Sequence, residues 1–207
     1  MKIRRLILAG LCVLAGVSQF AYAKSGETSA NYSLLVYNPA KSLAGTRVLN
    51  GGGGSVGINM GDYITLKGEF EGYTTTTFTY HVKPIEGVTA GGTFESTGNL
   101  VSYLFGPQFN FPMTKKRIFG EALFGGANTG AYGNLFRAAG VTGLSAHNVG
   151  FAMAFGGGID FRMSKHVGLR AAQIDYFLTR YEWKPIGINN QSNFRYQAGL
   201  LFAWGYE

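Results

Sequence analysis

Charge is scarce in this chain: 18 basic and 11 acidic residues make up only 14% of its 207 positions, against roughly 25% in ordinary soluble domains. A soluble surface has little to be made from. Cysteine is scarcer still. The one thiol, Cys12, lies in an N-terminal apolar segment that reads as removable, so the remainder has no disulfide and no cysteine-based metal site. Proline occurs five times and there is no Gly-X-Y period, which excludes a collagen helix. Beyond the N-terminus no run of 18 apolar residues exists, so nothing can cross a bilayer as a helix. Hydrophobic residues nevertheless reach 46%, which excludes disorder. What the chain has in quantity is glycine, 32 residues, and aromatics, 14%.

The N-terminus has the three parts of a secretory signal. Lys2, Arg4 and Arg5 form a basic start, Leu6 to Val17 an apolar stretch, and Ala21-Tyr22-Ala23 an A-x-A cleavage site. Residues 1–23 are therefore expected to be a signal peptide and 24–207 a single barrel domain. With three basic residues removed, the formal net charge falls from +7 to about +4, so basicity gives no reason to expect a nucleic-acid partner.

The remainder is written in strand alternation. Phe194, Tyr196, Ala198, Leu200, Phe202, Trp204 and Tyr206 alternate with Arg195, Gln197, Gly199, Leu201, Ala203 and Gly205, a period of two sustained far beyond the usual soluble strand. Val101, Tyr103, Phe105, Pro107, Phe109 and Phe111 likewise oppose Ser102, Leu104, Gly106, Gln108 and Asn110. Phe151, Met153, Phe155, Ile159 and Phe161 oppose Ala152, Ala154, Gly156, Gly158 and Asp160. Strands near 63–74 and 117–126 set Ile64, Leu66 and Phe70 against Lys67, Glu69 and Glu71, and Ile118, Ala122 and Phe124 against Glu121. Between Val167 and Tyr181 the phase slips, and a β-bulge near Ala171-Ala172 would keep Arg170, Gln173 and Asp175 on one side. Asn31 to Asn38 and Val48 to Met60 complete eight strands. Their connections alternate: long at 39–47, 75–98, 127–149 and 181–191, short at 60–62, 112–116 and 162–166.

Large apolar side chains on one face and glycine, alanine, amide and charge on the other reverse the arrangement of a soluble barrel such as a lipocalin, whose interior could not hold so many aromatics. The expected fold is all-β: an eight-stranded antiparallel up-and-down transmembrane barrel, aromatic outside and polar within, with surface loops at one end and periplasmic turns at the other.

The blocks Tyr103 to Phe109, Glu121 to Gly126, Phe151 to Asp160, Gln173 to Arg180 and Asn193 to Tyr196 make the chain resemble the small outer-membrane barrels of the OmpA/OmpX type, without a peptidoglycan-binding domain. The resemblance covers about residues 30–206. It implies a location in the bacterial outer membrane, lipids and lipopolysaccharide as surroundings, a monomer, and periplasmic chaperones and the barrel-assembly machinery as partners during biogenesis. Gln197, Gly199, Phe202 and Trp204 look like the assembly signal read on the last strand, although Tyr206-Glu207 departs from the usual terminal aromatic.

The strand phases turn Lys67, Arg170 and Arg195 inward together with Glu69, Glu71, Glu121, Asp160 and Asp175. Buried charges must pair, so these eight are expected to form a polar network plugging the lumen. The function that follows is structural, supporting the envelope or presenting surface loops. A small gated diffusion channel is the alternative, and a lipid A-modifying enzyme a third. The last would need a histidine two residues before Ser192, where Asn190 stands. His81, His147 and His166 are too scattered for a triad or a metal site. Neither Gly51–Gly54 nor Gly156–Gly158 is followed by the Lys-Ser/Thr of a phosphate loop. No catalytic residue, cofactor or metal is therefore expected. Lys115-Lys116-Arg117 and Arg162 to His166 are basic clusters on periplasmic turns that could meet anionic phosphates. Phe78, Tyr80, Phe94, Tyr132, Leu135, Phe136 and Arg137 are loop residues available for surface contacts.

Overall fold

A computed structural model describes residues 25–37, 46–74, 78–82, 92–96, 99–130, 148–183 and 187–205. The ten strands are β1 (Gly26–Tyr37), β2 (Arg47–Asn59), β3 (Ile64–Thr74), β4 (Phe78–Val82), β5 (Gly92–Ser96), β6 (Asn99–Pro112), β7 (Lys116–Thr129), β8 (Asn148–Arg162), β9 (Val167–Trp183) and β10 (Gly187–Trp204). Eight of them close into one antiparallel barrel in the order β1-β10-β9-β8-β7-β6-β3-β2, while β4 and β5 pair as a separate hairpin. Closure is made by β1 on β10, from Gly26 opposite Trp204 to Val36 opposite Phe194.

The alternation in the sequence becomes sidedness. Among the described residues, 27 large hydrophobics are exposed, whereas the buried set contains 23 polar or charged residues and 14 hydrophobic ones. The barrel is thus greasy outside and polar for much of its inside. Phe70, Phe105, Phe111, Ile174, Phe194 and Phe202 point outward, and Lys67, Gln108, Glu121, Asp160, Arg170 and Arg195 point inward.

Tight turns join the strands at one end. Met60 N–H donates to Ile64 O across a turn in which Gly61 takes a φ of 120°, a conformation that favours glycine. Met113 N–H donates to Lys116 O, and Ser164 Oγ accepts from Val167 N–H in the third turn.

Four boundaries differ from those read in the sequence. Strand β1 starts at Gly26, five residues before Asn31, with the polar Glu27 and Ser29 buried on its inner face. The stretch 75–98 carries the β4–β5 hairpin. Strand β7 runs on to Thr129 and β8 starts at Asn148, so the 127–149 connection is shorter than expected. The expected long loop at 181–191 is mostly strand, since β9 runs to Trp183 and β10 begins at Gly187. Asn189 to Asn193 read as loop, yet their backbone continues the ladder with β9. The signal-peptide residues, His147 and Tyr132 to Arg137 lie outside the described residues.

The bulge sits at Ala171. Ile159 pairs with Ala172 and Asp160 with Arg170, leaving Ala171 without a partner on β8, and the register on β10 shifts between Gln197 and Gly199. Arg170 and Gln173 therefore both face the lumen despite their odd spacing. The freed Ala171 carbonyl accepts from the outward Tyr196 hydroxyl at 3.2 Å. In hydrocarbon no water could replace that donor. Tyr196→Phe is expected to lower the unfolding free energy in bilayers by about 1–3 kcal/mol, measurable as a shift in a urea titration, whereas Tyr103→Phe should change it less.

Candidate functional site: the lumen

The inward charges meet in one connected network. Lys67 Nζ lies 2.8 Å from Glu69 Oε2 and 2.9 Å from Glu121 Oε2. Arg195 contacts Glu69 Oε1 at 2.5 Å through Nη1 and donates to Asp175 Oδ2 at 2.7 Å through Nη2. Nearer the turns, Arg170 Nε donates to Asp160 Oδ1 at 3.0 Å. Gln173 joins the two groups: its carbonyl accepts from Arg170 at 2.9 Å, and its amide donates to Glu121 at 2.9 Å and Asp175 at 2.8 Å. All eight residues expected in the lumen are buried there, the most accessible being 5% exposed.

Two members escaped the sequence reading. Arg117, grouped there with a basic periplasmic turn, instead points inward; it donates to Glu27 at 2.6 and 3.0 Å and to Asp160 at 2.6 Å. The correction follows from strand phase: Arg117 shares the parity of Glu121 on β7, and Lys116 that of Ile118. Strand β1 lies opposite β7 in the closed ring, so the Glu27–Arg117 pair is a brace across the lumen. An open vestibule of ≈ 1490 Å³ at the turn end reaches Glu27, Arg117 and Asp160.

Glu71 stands apart. It makes no ion pair among the described residues; Gln197 Nε2 donates to it at 3.3 Å and Asn31 also hydrogen-bonds to it. With Glu27 and Arg117 included, six acids face four cations in the lumen. Inward glycines give these side chains room. A Cβ on Gly156 would strike the Asp175 carboxylate, and one on Gly51 would enter the Tyr73 ring. Arg170 also stacks 4.5 Å above the Phe119 ring.

Toward the loop end the lumen holds an apolar cluster among buried polar residues such as Ser33, Ser102, Thr179 and Gln191, a layer the sequence reading of an inner face of glycine, alanine, amide and charge did not include. Leu35, Leu49, Leu100, Leu104, Leu123, Phe177, Tyr73 and Tyr181 form a buried cluster toward the loop end. Each is at most 3% exposed. The interior is thus filled twice, by ion pairs on the turn side and by packed side chains on the loop side. The signal for the second layer was present in the parity of Leu104 and Leu123.

Of the residues assigned to the assembly signal, Gln197 is buried in the lumen, Gly199 packs against Asn31, and Phe202 and Trp204 are exposed on the outer face. Ser192 is also exposed, and its hydroxyl pairs with the Tyr176 hydroxyl at 2.7 Å. His166 sits at the turn next to Val167, which pairs with Phe202. Ten residues of β10 therefore separate Ser192 from that level, roughly 33 Å. The side chains of His81, Phe78, Tyr80 and Phe94 lie outside the described set. Among the described residues no His, Cys, Asp and Glu cluster could hold a metal.

No protein-family model and no curated protein matches the chain. Solved structures do. Neisserial surface protein A superposes with a TM-score of 0.55 at 10% identity, covering 86% of this chain and 95% of that one. The outer membrane protein OprG from Pseudomonas aeruginosa gives 0.53 at 11% identity, covering 87% and 95%. The likeness is one of fold: this chain is an eight-stranded barrel of the small outer-membrane type.

Two inward residues carry opposite predictions. Arg195→Gln leaves Asp175 without an ion-pair partner and Glu69 with Lys67 alone, and should lower stability by about 3–5 kcal/mol. Glu71→Gln keeps shape and removes a surplus charge, so the urea midpoint should stay or rise.

Proposed function

We propose that this chain is an integral outer-membrane protein without enzymatic activity, a monomeric barrel that supports the envelope and holds surface segments, the β4–β5 hairpin among them, at its loop end. The observation that carries this reading is the double filling of the lumen. A channel needs a continuous wettable path, and the buried apolar cluster from Leu35 to Tyr181 argues against one. Ion pairs braced across the barrel add a second barrier, since separating them in a low-dielectric interior costs several kcal/mol.

The outer face supports membrane residence, with two or more large apolar or aromatic side chains exposed on every barrel strand from β6 to β10. Lipids and lipopolysaccharide are its surroundings, and during export the chain uses periplasmic chaperones and the barrel-assembly machinery. The non-enzymatic reading rests on the site itself: Ser192 is paired to a phenol on the outer face and far from His166.

Refolded protein in planar bilayers should give no unitary current steps. Steady ohmic conductance, altered by Glu121→Gln or Arg170→Gln, would instead assign the gated-channel function. Incubation with lipid A should return the substrate unchanged.

A further inference from the structure

At the turn end, two neighbouring turns form one basic patch. Arg162 N–H donates to Lys115 O at 2.9 Å, and Lys116 is the register partner of Phe161. Lys115, Lys116, Arg162 and Lys165 are all exposed. None of the four makes an ion pair among the described residues, although the acids Glu27 and Asp160 lie close by; those two are consumed by Arg117 and Arg170. Asp62, on the β2–β3 turn, is the one exposed acid among the described residues of the three turns.

The patch has a defined position relative to the apolar surface. Directly beside it stand Phe111, Ile118 and Phe161, exposed by 59%, 41% and 41%, with Met113 and Met163 at the turns themselves. Lys116 shares the outward parity of Ile118. Cations that follow the last outward aromatics of a membrane barrel lie at the depth of headgroup phosphates.

Given membrane residence, on which this inference rests, we propose that the β6–β7 and β8–β9 turns form a binding site for anionic phospholipid headgroups of the turn-side leaflet. Lys116 and Arg162 reach the phosphate from the edge of the sheet, and Lys115 and Lys165 add charge from the turns. The site selects for net negative headgroups because a zwitterionic lipid brings a compensating cation with its phosphate. The same four charges orient the barrel, holding its turn end against an anionic leaflet.

The test uses the refolded full barrel in phosphatidylcholine bilayers containing trace spin-labelled phosphatidylglycerol or phosphatidylcholine, with motionally restricted lipid read by electron paramagnetic resonance. At low salt the wild type should prefer phosphatidylglycerol by about three- to fivefold, and the preference should fall as ionic strength shortens the screening length. The quadruple variant K115Q/K116Q/R162Q/K165Q should lose it, and Arg180→Gln, at the loop end, should keep it. Should the quadruple variant not fold, K116Q/K165Q and the wild-type salt series carry the test. Inorganic phosphate should act no more strongly than chloride at equal ionic strength. An equal preference for both lipids, an unchanged preference in the variant, loss in Arg180→Gln, or specific displacement by phosphate would each overturn the proposal. Failure to fold into neutral bilayers, read by the heat-dependent gel shift, would instead count against membrane residence.

Discussion

Hydrocarbon offers no partner to a backbone N–H or carbonyl, and that constraint governs the rest of the structure. A sheet placed in it must close, so β1 pairs with β10 along eleven residue positions and leaves no edge. Closure fixes which face of each strand meets lipid, and hence where the aromatics, glycines and charges can go. The bulge obeys it too: where Ala171 leaves a carbonyl outside the β8 ladder, the Tyr196 hydroxyl supplies the donor.

Closing the sheet creates a narrow interior that must also be filled. The chain does this with two chemistries at two levels. Toward the turns, basic side chains and carboxylates span the lumen, and each cation is bearable because a counter-charge comes from another strand: Glu27 from β1 for Arg117 on β7, Glu69 from β3 for Arg195 on β10. Toward the loops, leucine, phenylalanine and tyrosine pack as in an ordinary core. The abundant glycine is the complement of both layers, yielding volume to Asp175, Tyr73 and Tyr181.

Much of this was legible in strand parity. A period of two assigns each residue to a face, and the outward run from Phe194 to Trp204 left no doubt about which face was greasy. The bulge was legible because Arg170 and Gln173 break the phase together. Three features were hidden for physical reasons. The stretch Asn189 to Asn193 lacks the apolar alternation because its outward residues Asn190 and Ser192 are polar and its inward residues Gln191 and Asn193 are amides, so only the pairing with β9 marks it as strand. Glu27 and Arg117 lie at strand ends, where one residue of boundary error moves a charge from lumen to turn. Across-barrel pairing depends on closure geometry, which no single strand records.

The central claim is that large apolar side chains fall into two populations, one in contact with lipid and one sealed inside. Methyl-labelled leucine in the reconstituted barrel, with a nitroxide attached to the lipid acyl chains, reads this directly by NMR without altering a residue. The methyls of Leu169 and Leu200, exposed on the outer face, should broaden strongly, while those of Leu35, Leu49, Leu100, Leu104 and Leu123 stay sharp and insensitive to a water-soluble relaxation agent. Broadening of the second group by lipid would contradict the sidedness, and its broadening by the water-soluble agent would contradict the seal.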